Sequence, residues 1–175
     1  MATILVLYSS VDGHTIEICH RLKAVIEQRA NQVTLVSVQD YRRFDLNGFD
    51  KIILGASIRY GKHSTLVYDF VARNLRLLAS KPTAFFSVNL VARKAHKNQP
   101  ESNPYLRKFL HQTTWRPKLV AVFAGKLDYP KYGFADRLII RLIMWVTQGP
   151  TAPGAVVDFT DWKKVEEFGR LIGEM

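Results

Sequence analysis

The sequence has one cysteine, Cys19, among 175 residues. That excludes an intrachain disulfide and fits a reducing compartment. No His, Cys or basic cluster flanks Cys19 at ligand spacing, so it reads as a small buried hydrophobe rather than a reactive thiol, and no metal site is predicted. No stretch of 18 uninterrupted apolar residues occurs, which excludes an ordinary bilayer span. The opening Met1-Ala2-Thr3 carries no basic region, and the apolar run behind it is too short for an export signal. A cytoplasmic protein is expected, with room left for one that lies on a membrane. Acids are scarce: 15 Asp and Glu stand against 25 Lys and Arg. Such a balance points to a polyanionic neighbour: nucleic acid, an anionic membrane or an acidic small molecule. Nucleic acid is disfavoured, because no nucleic-acid motif is present and the basic segments lack clustered aromatics. The dinucleotide fingerprint G-x-G-x-x-G is missing, and so is a Walker A loop.

What is present suits a single domain over residues 1–175, with 47% hydrophobic residues to fill one substantial core. Apolar runs of strand length occur at 4–8, 33–38, 51–56, 83–88 and 118–124. Between them, Ile18, Cys19, Leu22, Val25 and Ile26 fall at helical spacing within 15–28. Leu66, Phe70, Leu75 and Leu78 mark a second helix. A third runs from Pro104 to His111, and a last one begins near Thr160 or Asp161, both good N-caps. Strands apolar on both faces that alternate with helices predict a parallel sheet covered on each side. The expected architecture is a three-layer α/β sandwich with five strands in order 2-1-3-4-5. Ligands of such sheets sit beyond the carboxyl ends of the strands, so the loops after Tyr8, Ala56 and Val88 are the ones to inspect.

The first of these loops, Ser9-Ser10-Val11-Asp12-Gly13-His14-Thr15, leads into a helix. Hydroxyls and free amides at a helix N-terminus attract an anion, and Gly13 permits a tight turn. Rich in hydroxyls and poor in lysine, the loop suits a monophosphate. Alternatively, Ser10 or Asp12 simply caps the helix. Farther along, Arg93, Lys94, Lys97, Arg107, Lys108, Arg116 and Lys118 face one acid, Glu101: either a solvated face or a source of positive potential beside the third loop. Residues 127–155 form an insertion too long for a plain strand-to-helix connection. Within it, 134–146 (FADRLIIRLIMWV) predicts a helix more apolar than a single core-facing stripe requires, with Arg137 and Arg141 one turn apart. It either packs into an ordinary core, or lies on a bilayer or lines an apolar pocket.

Ser10-x-x-Gly13-x-Thr15 resembles the phosphate loop of flavodoxins, with Asp12 replacing the usual Thr. The resemblance implies that Ser9, Ser10, Val11, Asp12, Gly13, His14 and Thr15 surround an FMN phosphate. Gly55-Ala56-Ser57-Ile58-Arg59-Tyr60-Gly61 resembles the flavodoxin segment that lines one face of the isoalloxazine. Ser57, Ile58, Arg59, Tyr60 and Gly61 would contact the ring there, with Tyr60 best placed to stack or else a half-buried packing residue. Val88, Asn89 and Leu90 hold the position of the third flavin loop, although basic Arg93 and Lys94 follow where flavodoxins often carry acids. Positive charge beside a flavin favours its anionic reduced form, which suits an enzyme withdrawing electrons from an organic substrate better than a low-potential carrier.

Taken whole, through the basic segment, the insertion and the closing Asp158-Phe159-Thr160-Asp161-Trp162, the sequence resembles the flavodoxin-type, menaquinone-dependent protoporphyrinogen oxidases of bacterial haem biosynthesis. The resemblance implies six-electron oxidation of protoporphyrinogen IX through FMN to a membrane quinone, with peripheral contact at the cytoplasmic face of the inner membrane. Arg93, Lys94, Arg137 and Arg141 are the candidates for the substrate propionates. No catalytic acid or base is forced by the sequence; His14, His63, His96 and His111 qualify by type alone. The rival readings are an NAD(P)H:quinone reductase and a flavodoxin electron carrier. Homo-oligomerisation is left open.

Overall fold

The computed structural model describes residues 1–175. The apolar runs become β1 (Thr3–Ser9), β2 (Gln32–Ser37), β3 (Lys51–Arg59), β5 (Thr83–Asn89) and β6 (Leu119–Ala124), with a two-residue β4 (Lys62–His63) between β3 and β5. The parallel strands lie in the order β2-β1-β3-β5-β6, and β4 folds back antiparallel on β3. Counting only the parallel strands, this is the expected 2-1-3-4-5 arrangement. Every residue of β5 is buried, as a central strand covered on both faces requires.

Alternate side chains of β1 feed two cores. Leu5 and Leu7 join Phe70, Phe85, Phe109 and Trp115 on one face; Ile4 and Val6 join Ile18, Leu22, Phe86, Phe168 and Ile172 on the other. The first face is covered by α2 (Thr65–Arg73), α3 (Leu75–Ser80) and α4 (Pro104–Gln112), the second by α1 (His14–Glu27) and α6 (Trp162–Glu174). The single helix predicted across Leu66–Leu78 is two, α2 and α3. Asn74 interrupts it, its side-chain amide donating to the Phe70 carbonyl at 2.8 Å and competing with the helical ladder. Asp161 caps α6, accepting from the Lys163 and Lys164 amides. At the other end of α6, the Lys51 ammonium donates to the Ile172 and Gly173 carbonyls at 2.9 and 3.1 Å, a cation placed on the negative end of a helix.

Cys19 is fully buried within α1, and burial pushes its thiol pKa up. It is the inert hydrophobe the sequence suggested. Gly55 of β3 lies beside Phe86 of β5, and a Cβ there would overlap the Phe86 ring. The strand needs glycine so that the aromatic ring can cross it.

The residues after β6 leave this sheet. β7 (Lys126–Asp128) and β8 (Val156–Asp158) pair antiparallel, and α5 (Phe134–Val146) lies between them in sequence. Leu127, Tyr129, Tyr132 and Met144 form a small core of their own under α5.

Candidate functional site

The carboxyl ends of β1, β3 and β5 open into a cleft lined by side chains from all three loops and from α5, the position where sheets of this kind bind ligands. One wall is the β1–α1 loop. Gly13 has φ +86° with open space where a Cβ would point, a backbone that glycine adopts without strain. The Ser10 hydroxyl accepts from the Gly13 amide at 3.1 Å, so Ser10 ties the loop together. Asp12 turns away, accepting from the Arg59 guanidinium at 2.5 Å. No side chain caps α1 at Gly13. The Thr15 hydroxyl is buried without any hydrogen-bond partner. Buried polar groups are normally paired, so an unpaired hydroxyl in the first turn of an uncapped helix marks a place for an acceptor that the chain does not supply.

His14 pins this loop to the closing segment. Its ring meets Glu17 at 3.2 Å, the Thr160 hydroxyl at 2.6 Å and Asp158 at 3.7 Å, with Trp162 edge-on at 5.9 Å. Burial pushes the Asp158 carboxyl up, but hydrogen bonds from Thr160 and Trp162, with His14 alongside, bring it below the usual carboxylate range.

The second wall is the β3–β4 hairpin. Tyr60 (φ +50°) and Gly61 (φ +74°) form its turn; paired positive φ angles match the twist of a tight hairpin. Tyr60 is 57% exposed, which removes the half-buried packing alternative. Its hydroxyl donates to Asp136, in the first turn of α5. Ser57 donates to the Ser9 carbonyl at 3.4 Å, joining the two loops.

The third loop is built on Asn89, which is 4% exposed. Its amide nitrogen donates to Ser87 and Asn103, while its oxygen accepts from Asn103 at 3.0 Å and from the Ala92 amide at 3.2 Å. The side chain therefore shapes the loop from beneath. His63 continues the network, its Nε2 at 2.9 Å from Ser87, and burial draws its pKa down to about 4.

All the residues predicted from these three loops line the cleft except Ser9 and Gly13. Of the basic candidates, Arg93 lines the cleft, whereas Lys94, Arg137 and Arg141 do not. Arg137 donates to the Tyr132 carbonyl at 3.3 Å and Arg141 to the Thr151 carbonyl at 3.0 Å, so both hold the segments flanking α5. Arg93 donates to the Leu90 carbonyl and to the Thr147 hydroxyl and carbonyl, fastening the end of α5 to the third loop. His63, His96 and His111 lie outside the wall.

Sequence reasoning missed Tyr105, Lys126 and Tyr132, and gave no residue-level assignment to Ile139, Ile140, Ile143 and Met144, which close the cleft from α5. Their signal was the apolar excess of 134–146; only the direction of the helix was unreadable. Arg59, Arg93 and Lys126 outnumber the one carboxylate in the wall, Asp12, while Asp136 and Glu17 approach Arg59 and Lys126 from outside it, at 4.0 and 3.9 Å.

Comparison with known proteins agrees with this geometry. The flavodoxin domain family matches residues 5–153. A protoporphyrinogen IX dehydrogenase (quinone) of Leishmania major is 43% identical over 165 residues, 94% of this chain and 71% of that protein. The protein of the same name from Escherichia coli K12 is 40% identical over 171 residues, 98% of this chain and 94% of that one. The solved structure of oxidised flavodoxin 2 from Bacillus cereus superposes with a TM-score of 0.56 at 19% identity, covering 99% of each chain, and shows the fold. The chain is thus an oxidoreductase of the flavodoxin-domain family and belongs, within it, to the quinone-linked protoporphyrinogen IX dehydrogenases.

Proposed function

We propose that this protein binds FMN in the cleft and oxidises protoporphyrinogen IX to protoporphyrin IX, passing the electrons to a membrane quinone such as menaquinone. The observation that carries the reading is the division of the cleft. An unpaired Thr15 hydroxyl stands at an uncapped helix terminus at one end, and an apolar wall of Ile139, Ile140, Ile143 and Met144 closes the other. The first fits a phosphate, which would take the Thr15 hydroxyl and the α1 amides. Ile58, Tyr60, Val88 and Leu90 would flank the flavin ring. FMN, when bound, supplies a two-electron acceptor; the protein positions it and sets its surroundings.

The chain's own residues do the rest. The α5 wall keeps water from the reacting faces, and the cationic lining draws in a dicarboxylate. Removal of six hydrogens from the macrocycle reduces three quinones to three quinols, so electrons and protons balance.

A lipid-soluble acceptor calls for a membrane surface. Phe134, Leu138, Leu142, Trp145 and Val146 of α5 are 52–79% exposed, and the chain carries a net charge of +10. No helix is long and apolar enough to cross a membrane. Such a helix suits the plane of an anionic bilayer, here the cytoplasmic face of the inner membrane. Flotation with anionic liposomes at low salt tests this. A protein that stays with the soluble fraction would remove the membrane from the reading, and dimers in sedimentation would assign the apolar face to a second copy.

The chemistry is tested by anaerobic mixing of FMN-loaded protein with protoporphyrinogen IX, following flavin bleaching and porphyrin fluorescence together. Coupled changes that turn over on adding a menaquinone analogue are expected. Bound FMN that ignores the porphyrinogen but bleaches with NAD(P)H would instead support a quinone reductase.

A further inference from the structure

Arg59 differs from the other cations of the cleft. Arg93 is occupied by backbone carbonyls and the Thr147 hydroxyl, and Lys126 has Glu17 at 3.9 Å. Arg59 alone stands between two carboxylates from opposite walls. Asp12 of the phosphate loop accepts from its Nη2 at 2.5 Å, and Asp136 of α5 lies 4.0 Å from Nη1. The guanidinium also lies over the Tyr132 ring, 5.5 Å from its centroid. A guanidinium presents five donors in a planar fork matched to a carboxylate. Here the Asp12 side of the fork is tightly engaged, while Asp136 sits beyond hydrogen-bonding distance and is held by Tyr60.

We propose that Arg59 is the specificity residue for a carboxylate of the substrate: it takes one propionate of the porphyrinogen at the position Asp136 now approaches, with Asp12 and Tyr132 keeping the fork aimed into the cleft. This rests on the porphyrinogen reading above. It also accounts for Asp12, the odd residue of the phosphate loop. Its carboxylate is turned to Arg59, so it orients a cation instead of repelling a phosphate. Arg137 and Arg141, more conspicuous in the sequence, donate to backbone carbonyls and would have to release the ends of α5 to reach a ligand.

Arg59→Gln alone would leave Asp12 bare beside the phosphate site. The informative variant is therefore Asp12→Asn with Arg59→Gln, which removes the pair as a unit. Protoporphyrinogen IX and its dimethyl ester are compared as substrates at saturating FMN. In parallel, binding of protoporphyrin IX and its dimethyl ester to the FMN-loaded protein is followed by porphyrin fluorescence. The wild type should prefer the diacid in both KM and Kd. The double variant should lose about 10- to 100-fold of affinity for the diacid, the size of one charge-assisted contact, with little change for the ester, so the preference collapses. Asp136→Asn, which removes the competing carboxylate, should tighten the diacid. A double variant whose diacid-to-ester ratio equals that of the wild type overturns the assignment of Arg59 and leaves the porphyrinogen reading standing. A wild type that neither binds nor oxidises the diacid overturns both.

Discussion

α1 and α5 are near twins on paper and opposites in the molecule. They have 14 and 13 residues, each follows a glycine, each carries one acid in its first turn, and each borders the cleft. α1 buries seven residues, His14 and Thr15 at the cleft and the other five against the sheet and α6, whereas α5 buries Met144 alone. The apolar residues of α1 are accounted for by its own fold. Those of α5 are divided between the cleft, which Ile139, Ile140, Ile143 and Met144 line, and an outer face that nothing in the chain covers. One helix builds the scaffold, and the other is shaped for something outside it.

The widest gap should appear in stability. Leu22 is fully buried and Leu142 is 60% exposed. Leu22→Ala should cost roughly 2–5 kcal/mol, as for a large-to-small change in a packed core. Leu142→Ala should change stability by less than about 0.5 kcal/mol. Urea denaturation of both variants decides the matter, and equal losses would place α5 in a core after all. Leu142→Glu with Trp145→Glu sharpens the contrast: the protein should keep its unfolding midpoint yet no longer float with anionic liposomes.

Next in size is an effect confined to the end of the cleft that α1 opens. Thr15→Val removes a buried hydroxyl that has no partner in the protein. The unliganded protein should be as stable as the wild type or slightly more so, because an unsatisfied buried group is a cost. FMN should bind more weakly by about 1.5–3 kcal/mol, the value of a hydrogen bond to a charged group. Flavin fluorescence titration alongside thermal unfolding reads both. A variant that loses stability without FMN and binds FMN normally would make Thr15 a structural residue.

The scaffold was the more legible region because its physics is periodic. Residues 4–8 read as a buried strand because the run is apolar throughout, and 83–88 because its two hydroxyl residues, Thr83 and Ser87, are outnumbered by apolar ones; the loops at their carboxyl ends follow from parallel topology. Asn74 escaped notice because its effect on the helix is one side-chain hydrogen bond, invisible to a pattern of apolar spacing. At the site, the phosphate loop was readable from Ser10, Gly13 and Thr15, which fall within six consecutive residues. Arg137 and Arg141 attracted attention as charges one turn apart on an apolar helix, yet both are half-buried and their direction depends on the carbonyls of Tyr132 and Thr151. The clasp on Arg59 was unreadable for the same reason. Asp12, Arg59 and Asp136 are far apart in the chain, and only the folded backbone brings them together.

The smallest of these effects also separates an interior that refuses charge from a helix that tolerates it. His63 is 2% exposed, enclosed by Phe85 and Phe109, and burial draws its pKa from 6.5 to about 4. As pH falls below 6.5, the unfolded chain gains a proton that the folded protein refuses until about pH 4, so His63 lowers stability progressively across that window. At pH 5 the loss should be about 2 kcal/mol relative to pH 7. His63→Leu removes the titration while Ser87 keeps its hydrogen bond from Asn89. Whatever its stability at pH 7, this variant should lose less than the wild type between pH 7 and pH 5, as measured by urea denaturation at both values. Equal losses in the two proteins would show that His63 can charge where it stands, and the contrast between a charge-intolerant scaffold and a tolerant α5 would fail at the residue where it is drawn most sharply.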